Sequence, residues 1–135
     1  MADGNMFKVE IITPDRAFYS GEASFIEFTT ASGEIGVYKN HIPMTTVLAP
    51  GIVTIHEAEG PKEAAVHAGF VEILNDKVTL LAEVAEWPDE IDIKRAEEAK
   101  IRAERRLKDD SQDLNRAELA LKRSVVRMQL GAKWK

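Results

Sequence analysis

The sequence predicts an α+β protein in two parts: an N-terminal antiparallel β-sandwich or flattened barrel, followed by a C-terminal antiparallel two-helix hairpin. Short segments of alternating apolar and polar residues, each bounded by turn-forming residues, recur as far as residue 86. No helical crossover pattern lies between them, which favours antiparallel pairing. Beyond Pro88 the chain becomes charged and rich in alanine, as helices are. The predicted domains are therefore residues 1–87 and 88–135.

The first strand shows the period-two pattern of a half-buried strand. Phe7, Val9 and Ile11 alternate along it, and Thr13-Pro14-Asp15 then supplies a turn. Further strands are predicted at Ala17–Tyr19, Ser24–Thr29, Gly36–Tyr38, Ile52–His56, Ala64–His67, Phe70–Leu74 and Val78–Ala82. The turns between them are predicted at Ser20-Gly21, Ser32-Gly33, Pro50-Gly51, Glu59-Gly60-Pro61 and Asn75-Asp76. Turn signals at this spacing are typical of a sandwich or barrel.

The segment from Gly33 to Met44 does not have the sequence pattern of a simple strand, and we consider three interpretations of it. A phosphate-binding loop is excluded, because no GxxxxGK[ST] sequence opens a helix here. A metal site built from His41, His56 and His67 lacks an HxH pair with a supporting glutamate. The third interpretation is a packed turn that exposes a few side chains as a possible interface, namely Tyr38, His41 and Met44.

The second half opens at Pro88, which is unfavourable inside a strand ladder but acceptable just before a helix. Asp89, Glu90 and Asp92 place negative charge on the predicted first turn, where the helix dipole favours it. The first helix is predicted from Asp89 to Leu107. One face of it carries the apolar residues Ala96, Ala99, Ala103 and Leu107.

A polar turn over residues 108–113 separates the first helix from a second one, with Asp113 as its predicted N-cap. The second helix is predicted to end near Gly131. Its apolar face comprises Leu114, Ala117, Leu121, Val125 and Met128, flanked by Ala120 and Ser124. Two helices joined by a short turn form an antiparallel hairpin.

The composition of these helix faces carries a mechanistic hint. Alanine buries little apolar area, so an alanine-lined face gains little on docking, whereas alanine, glutamate, lysine and arginine sustain a solvated helix. Such a hairpin could open at small cost and serve as a switch between two arrangements. The alternative is an ordinary hairpin that never opens, and the residues alone do not decide between the two.

Charge and composition exclude several functional classes. The net charge of −5 argues against general nucleic-acid binding, yet residues 114–135 carry six Lys or Arg against one Glu, a local balance of +5. The chain has no cysteine, which excludes disulfides, thiolate metal sites and cysteine nucleophiles. No apolar run is long enough to span a bilayer. No secretory signal pattern opens it, so we expect a soluble cytoplasmic chain.

Four arginines could converge in a folded hairpin: Arg95 and Arg102 on the first helix, and Arg123 and Arg127 on the second. The last two are four residues apart on one face, and guanidinium groups bind phosphate oxygens in bidentate fashion. The alternative to phosphate binding is that these arginines are ordinary surface residues, hydrated by water.

Several stretches together resemble the epsilon subunits of bacterial F-type ATP synthase. The run Ile91-Asp92-x-x-Arg95-Ala96, continued by Ala99, Arg102 and Ala103, resembles the IDxxRA motif that opens their C-terminal domain. The run from Arg116 to Arg123, followed by Arg127, resembles their second helix. The GxxGxxxxHxP pattern from Gly33 to Pro43 resembles a stretch of their sandwich. The resemblance covers the chain from Val9 to about Gly131.

The resemblance implies a nucleotide site that binds ATP as a regulatory ligand, with the role of magnesium left open. By implication Glu86, Ile91 and Ala96 surround the adenine, Asp92 and Arg95 shape the pocket, and Arg102, Arg123 and Arg127 hold the phosphates. Trp87-Pro88, in the spacer after Glu86, departs from the family pattern. The implied partner contacts are Glu34 toward the c-ring and Tyr38 and His41 toward the gamma subunit, with Met44 exposed beside them.

The resemblance also implies a non-catalytic rotor subunit at the cytoplasmic face of the bacterial membrane, held there only through its complex. Its helices would restrain ATP hydrolysis by extending toward the catalytic beta and alpha subunits, and ATP would favour the compact state. The alternative is a purely structural coupling subunit whose hairpin stays folded and binds no nucleotide. A free-standing enzyme finds little support, because the sequence has no GxSxG or HExxH motif.

Overall fold

The computed structural model describes residues 5–108 and 114–133. Its elements are β1 (Phe7–Ile12), β2 (Ala17–Ala23), β3 (Phe25–Thr30), β4 (Gly33–Val37), β5 (Met44–Leu48), β6 (Gly51–Glu57), β7 (Gly60–Ile73), β8 (Lys77–Glu86), α1 (Ile93–Leu107) and α2 (Leu114–Lys133). The chain forms two compact units, Met1–Ala85 and Glu86–Lys135. Glu86 and Trp87 thus belong to the second unit, although the sequence placed them at the end of the first.

The first unit is a sandwich of eight strands, as the sequence predicted. The strand order is β2-β1-β8-β7-β5-β3-β4, and β6 pairs with both β3 and β7. Most pairs are antiparallel, but β1 and β8 run parallel, with Lys8 opposite Lys77 and Ile12 opposite Leu81. The predicted antiparallel sandwich is therefore confirmed, and this one parallel pair is a feature that the sequence analysis did not predict. Because six strands intervene between β1 and β8, a parallel contact needs no helical crossover.

One predicted turn lies inside a strand, and two predicted strands form one. β2 continues through Ser20-Gly21, where Gly21 pairs with Val9 and the ring of Tyr19 lies over the glycine. The two strands predicted at 64–67 and 70–74 form the single strand β7. At their junction Ala68 and Gly69 have φ angles of 57° and 130°, conformations that favour glycine.

This junction divides β7 between two partners. Residues up to Val66 pair with β6, whereas residues from Gly69 onward pair with β5. The positive φ angles therefore mark a β-bulge, at which one long strand changes its pairing partner from β6 to β5.

The segment from Gly33 to Met44 is more regular than the sequence predicted. Gly33–Val37 forms β4, antiparallel to β3, and Met44 begins β5, which the sequence analysis missed. Four of the five β5 residues are at least partly exposed, so the strand lacks a clear period-two pattern. The packed turn is thus confined to residues 38–43.

The second unit contains the two predicted helices with shifted ends. Pro88–Glu90 forms a short 3₁₀ turn, and α1 begins at Ile93 instead of Asp89. The reason is Asp92, whose side chain accepts the backbone N–H of Arg95 at 3.0 Å and caps the helix. Asp89, Glu90 and Asp92 therefore precede the first turn and do not form part of it.

The two helices pack antiparallel, because Ile93 at the start of α1 lies against Gly131 near the end of α2. α2 continues to Lys133, past the end predicted at Gly131. Its buried positions are Ala117, Ser124, Val126, Leu130 and Gly131. Ala117 and Ser124 belong to or flank the predicted face, whereas Val126 and Leu130 lie outside it. Asp113 lies outside the described residues. Within 5–108 and 114–133, no helix combines the length and apolarity needed to cross a bilayer.

Candidate functional site

A cleft of about 430 Å³ opens in the second unit and falls within the usual size of small-ligand sites. We call it the hairpin cleft. Its walls are formed by Glu86, Glu90, Asp92, Arg95, Ala96, Ala99, Arg102 and Arg127. Three sequence segments contribute to it: the stretch before α1, α1 itself and the last turns of α2. The cleft therefore exists only when the hairpin is folded.

Helical spacing explains which α1 residues reach the cleft. Arg95 and Arg102 are seven residues apart, which is close to two turns, so both side chains leave the same face of the helix. Ala96 and Ala99 lie on the same side, and their small side chains leave room for a ligand. The Asp92 carboxylate is fixed at the helix N-terminus by its capping hydrogen bond.

Glu86 and Arg127 form an ion pair across the cleft. Arg127 Nε donates to Glu86 Oε1 at 2.6 Å, and the two side chains are 28% and 24% exposed, respectively. This charge-assisted hydrogen bond ties the segment before α1 to α2. Because water still reaches both groups, we expect it to contribute no more than about 1 kcal/mol to stability.

Glu90 and Ala99 line the cleft although the sequence analysis did not assign them to the site. Glu90 Oε1 accepts the backbone N–H of Trp87 at 2.9 Å, which closes the 3₁₀ turn begun by Pro88. The Trp87-Pro88 departure from the family pattern is accommodated by this turn. Ala99 could have been assigned from the predicted apolar face of the first helix, which already included it.

Two sequence-predicted residues do not line the cleft. Ile91 is only 3% exposed and lies near Gly131. Arg123 is partly buried, with its Nε inaccessible to water, one helical turn before Arg127. The structure thus brings together Glu86, Asp92, Arg95, Ala96, Arg102 and Arg127, and it places Ile91 and Arg123 elsewhere in the same unit.

The charges of the cleft balance formally, with three carboxylates and three guanidinium groups. Guanidinium forks suit the oxygens of phosphate or carboxylate ligands. Over the part of the chain that the structure describes, no cluster of His, Cys, Asp and Glu suits a metal ion. The histidines have separate environments: His41 Nδ1 lies 2.8 Å from the Ile42 carbonyl oxygen, His56 Nε2 lies 2.8 Å from Glu27 Oε1, and His67 is fully buried.

The residues predicted to contact partners lie on the first unit. Glu34 is exposed on β4, and Tyr38 is 65% exposed with its ring stacked 4.3 Å from that of Phe25. His41 is partly exposed, and Met44 is exposed at the start of β5.

A further exposed surface on this unit was missed by the sequence analysis. One exposed large apolar residue from each of four neighbouring strands contributes to an apolar stripe: Ile12, Leu81, Phe70 and Val47. Ile12 is opposite Leu81 in the sheet, and Val47 is opposite Phe70. Gly69, next to Phe70, lies against the Leu81 backbone, which places the two pairs side by side. Contiguous exposed apolar surface of this kind marks a binding surface.

Comparison with known proteins gives a consistent result over nearly the whole chain. Residues 6–88 match the family model described as the ATP synthase delta/epsilon chain β-sandwich domain, and residues 89–130 match the corresponding long α-helix domain. The ATP synthase epsilon chain of Caldanaerobacter subterraneus subsp. tengcongensis is 45% identical over 131 residues, covering 95% of each chain. That of Shouchella clausii is 44% identical over 121 residues, covering 90% of this chain and 91% of the relative.

Among solved structures, a chain of the Euglena gracilis mitochondrial ATP synthase, in an OSCP/F1/c-ring structure, has the same fold. Its TM-score is 0.78 at 22% identity, with 94% of this chain and 80% of that chain covered. The two family models together cover residues 6–130, and these two bacterial epsilon chains align with at least 90% of this chain. The chain therefore belongs to the ATP synthase delta/epsilon family, as an epsilon chain of the bacterial type and a non-catalytic subunit.

Proposed function

We propose that the sandwich of this epsilon chain couples the gamma subunit to the c-ring, and that its helical hairpin senses ATP and restrains ATP hydrolysis. The observation that carries the nucleotide part is the hairpin cleft. Six of its eight lining residues are those that the IDxxRA resemblance assigns to the nucleotide: Glu86, Asp92, Arg95, Ala96, Arg102 and Arg127.

ATP would act as a ligand and not as a substrate. The cleft is assembled from three segments that meet only in the folded hairpin, so a ligand bound there favours the folded over the extended state. The size of the shift is set by the difference in affinity between the two states. Arg102 and Arg127 approach from different helices, which suits a phosphate chain that spans them.

A calorimetric titration of ATP into the 135-residue chain tests this part. We expect saturable one-to-one binding that Arg102→Ala combined with Arg127→Ala abolishes. The matched control is Arg105→Ala combined with Arg106→Ala, which removes two exposed arginines outside the cleft. GTP serves as the control ligand. No heat at millimolar ATP would refute nucleotide binding and favour the purely structural alternative.

The coupling role is supported by the apolar stripe and by the exposed residues near β4 and β5. A stripe that crosses four strands would be buried by a complementary apolar surface of the gamma subunit. Glu34, Tyr38, His41 and Met44 supply a more polar region for the c-ring and stalk. Phe70→Glu should then prevent assembly with gamma, whereas Ile101→Glu, an equivalent change on α1, should not.

The inhibitory role is supported by charge. Residues 114–135 carry a balance of +5, which suits contact with acidic surfaces of the catalytic subunits when the helices extend. Deleting the residues beyond 110 should increase ATP hydrolysis by the assembled enzyme. Unchanged hydrolysis would count against inhibition by the helices.

A further inference from the structure

The arginine that α2 contributes to the hairpin cleft is already engaged by a carboxylate of the same chain. Arg127 Nε lies 2.6 Å from Glu86 Oε1, and the carboxylate is only about one quarter exposed, at 24%. We propose that Glu86 is an internal competitor for phosphate: the cleft accepts only ligands anionic enough to replace this carboxylate at Arg127. This inference rests on the proposed nucleotide function and assigns to Glu86 a role in ligand selection.

The competition follows from the geometry of the guanidinium group. Its Nε–H and one terminal N–H form a fork that binds two oxygens of a phosphate. Glu86 Oε1 already accepts the Nε–H of that fork. A phosphate in the same position would also lie within a few ångströms of the carboxylate, and like charges at that distance repel. The carboxylate must therefore move before the phosphate can bind through both atoms.

The remaining charges of the cleft make this exchange selective. With Glu86 in place, the cleft has three carboxylates and three guanidinium groups, so it offers little net attraction to an anion. A monophosphate reaches one guanidinium and gains little by displacing Glu86. A triphosphate carries more charge and can contact Arg102 and Arg127 together, so it compensates for the lost ion pair. The ligand class that we infer is a triphosphate chain, with Glu86 disfavouring shorter ones.

The same ion pair has a second role when the cleft is empty. It joins the segment before α1 to α2, so it holds the hairpin closed without a ligand. Removing the carboxylate should therefore have two effects of opposite sign: the empty hairpin becomes looser, while phosphate binding to the folded hairpin becomes tighter. If the role of Glu86 were purely structural, removing its carboxylate would loosen the hairpin and also weaken phosphate binding.

Inorganic triphosphate is the probe that tests this proposal, titrated calorimetrically into the full chain. Glu86→Gln is compared with Glu90→Gln, which removes the same charge from the same cleft but keeps the carboxylate that pairs with Arg127 Nε. We expect Glu86→Gln to bind triphosphate about threefold to tenfold more tightly than Glu90→Gln, the range for a partly exposed charged hydrogen bond. Because the probe has no base, loss of an adenine contact cannot affect the comparison.

Looser packing of the ligand-free variant would reduce its apparent affinity, so the closed fraction is measured by energy transfer between labels placed on α1 and α2 and used to correct it. The gain should disappear when Glu86→Gln is combined with Arg127→Gln, because no guanidinium is then released. Equal or weaker corrected binding by Glu86→Gln would overturn the proposal, and so would a gain that persists without Arg127. If wild type binds ATP but the variant shows no gain, only the competitor role fails; absence of ATP binding by wild type refutes the proposed function.

Discussion

At the scale of single residues, the position that constrains the sandwich most is Gly69. Its φ of 130° is one that residues with a Cβ rarely adopt, and a Cβ there would collide with the backbone carbonyl oxygen of Leu81. This glycine lies where β7 changes partner from β6 to β5. It also adjoins Phe70 of the apolar stripe. A backbone requirement therefore positions a proposed interface.

Gly69→Ala should destabilise the sandwich by about 2 to 4 kcal/mol, because backbone strain and a collision with rigid backbone add. Gly60→Ala is the matched control: its φ is 131°, but nothing lies within 4 Å of the position that its Cβ would occupy. It should cost only the strain, about 1 kcal/mol. Scanning calorimetry of the full chain compares the two. Equal losses in both variants would show that the Leu81 contact is unimportant.

The individual site residues differ in how far the sequence could predict them. The sequence analysis assigned Arg95 and Arg102 to the first helix, and their seven-residue spacing also puts them on one helical face, because a turn of helix is a local property. The cleft position of Glu90 depends on a 3₁₀ turn with no periodic signature. Arg123 and Arg127 were predicted to act together, but only Arg127 lines the cleft. Four-residue spacing places two side chains on one helical face, but it does not specify which part of that face lines a cleft formed with other segments.

At the scale of elements, local patterns predicted the strands but not their pairing. Strands with one buried face were found from alternation, whereas β5, largely exposed, was missed. The parallel contact of β1 with β8 joins segments nearly 70 residues apart, as the pairing of Lys8 with Lys77 shows, and no local signal encodes it. The two strands predicted on either side of Ala68 and Gly69 form one strand, β7. The sequence did not reveal this, because a bulge is recognised from backbone angles and strand pairing, which have no periodic signature in the sequence.

A salt bridge connects β1 and β8. Lys77 Nζ lies 2.8 Å from Glu10 Oε1, and this hydrogen bond lowers the pKa of Glu10 below its ordinary value of 4.5. A carboxyl group with a lowered pKa in the folded state stabilises the fold above its unfolded pKa. That contribution is lost as the pH falls through the folded pKa, so the pair should weaken below about pH 4.5.

Lys77→Met should therefore raise the pKa of Glu10 toward 4.5, as followed by NMR titration of its carboxyl carbon. The control is Lys8→Met, since Lys8 Nζ is 4.0 Å from the same oxygen and makes a weaker contribution. We expect a smaller rise in that variant. An unchanged Glu10 pKa in Lys77→Met would show that the salt bridge does not persist in solution.

At the scale of the whole molecule, the protein is an ATP synthase epsilon chain, a non-catalytic subunit. Its two units differ in the size of the apolar side chains that they bury. The sandwich has a core of large buried side chains, including Phe28, Ile26, Ile55 and Leu80. In the hairpin, three of the buried apolar positions on α1 and α2 are alanines: Ala96, Ala103 and Ala117. Alanine burial contributes little free energy, so the hairpin is the unit suited to opening.

The central claim is that ATP holds this weakly packed hairpin closed, and amide hydrogen exchange of the full chain with and without ATP tests it most directly. At one hundred times the Kd, a ligand specific for the folded hairpin stabilises it by about 2.7 kcal/mol, or about one hundredfold slower exchange. We predict this slowing in α1 and α2, little change in the strands, and no effect in Arg102→Ala combined with Arg127→Ala. Exchange from both helices that saturating ATP leaves unchanged would contradict the account.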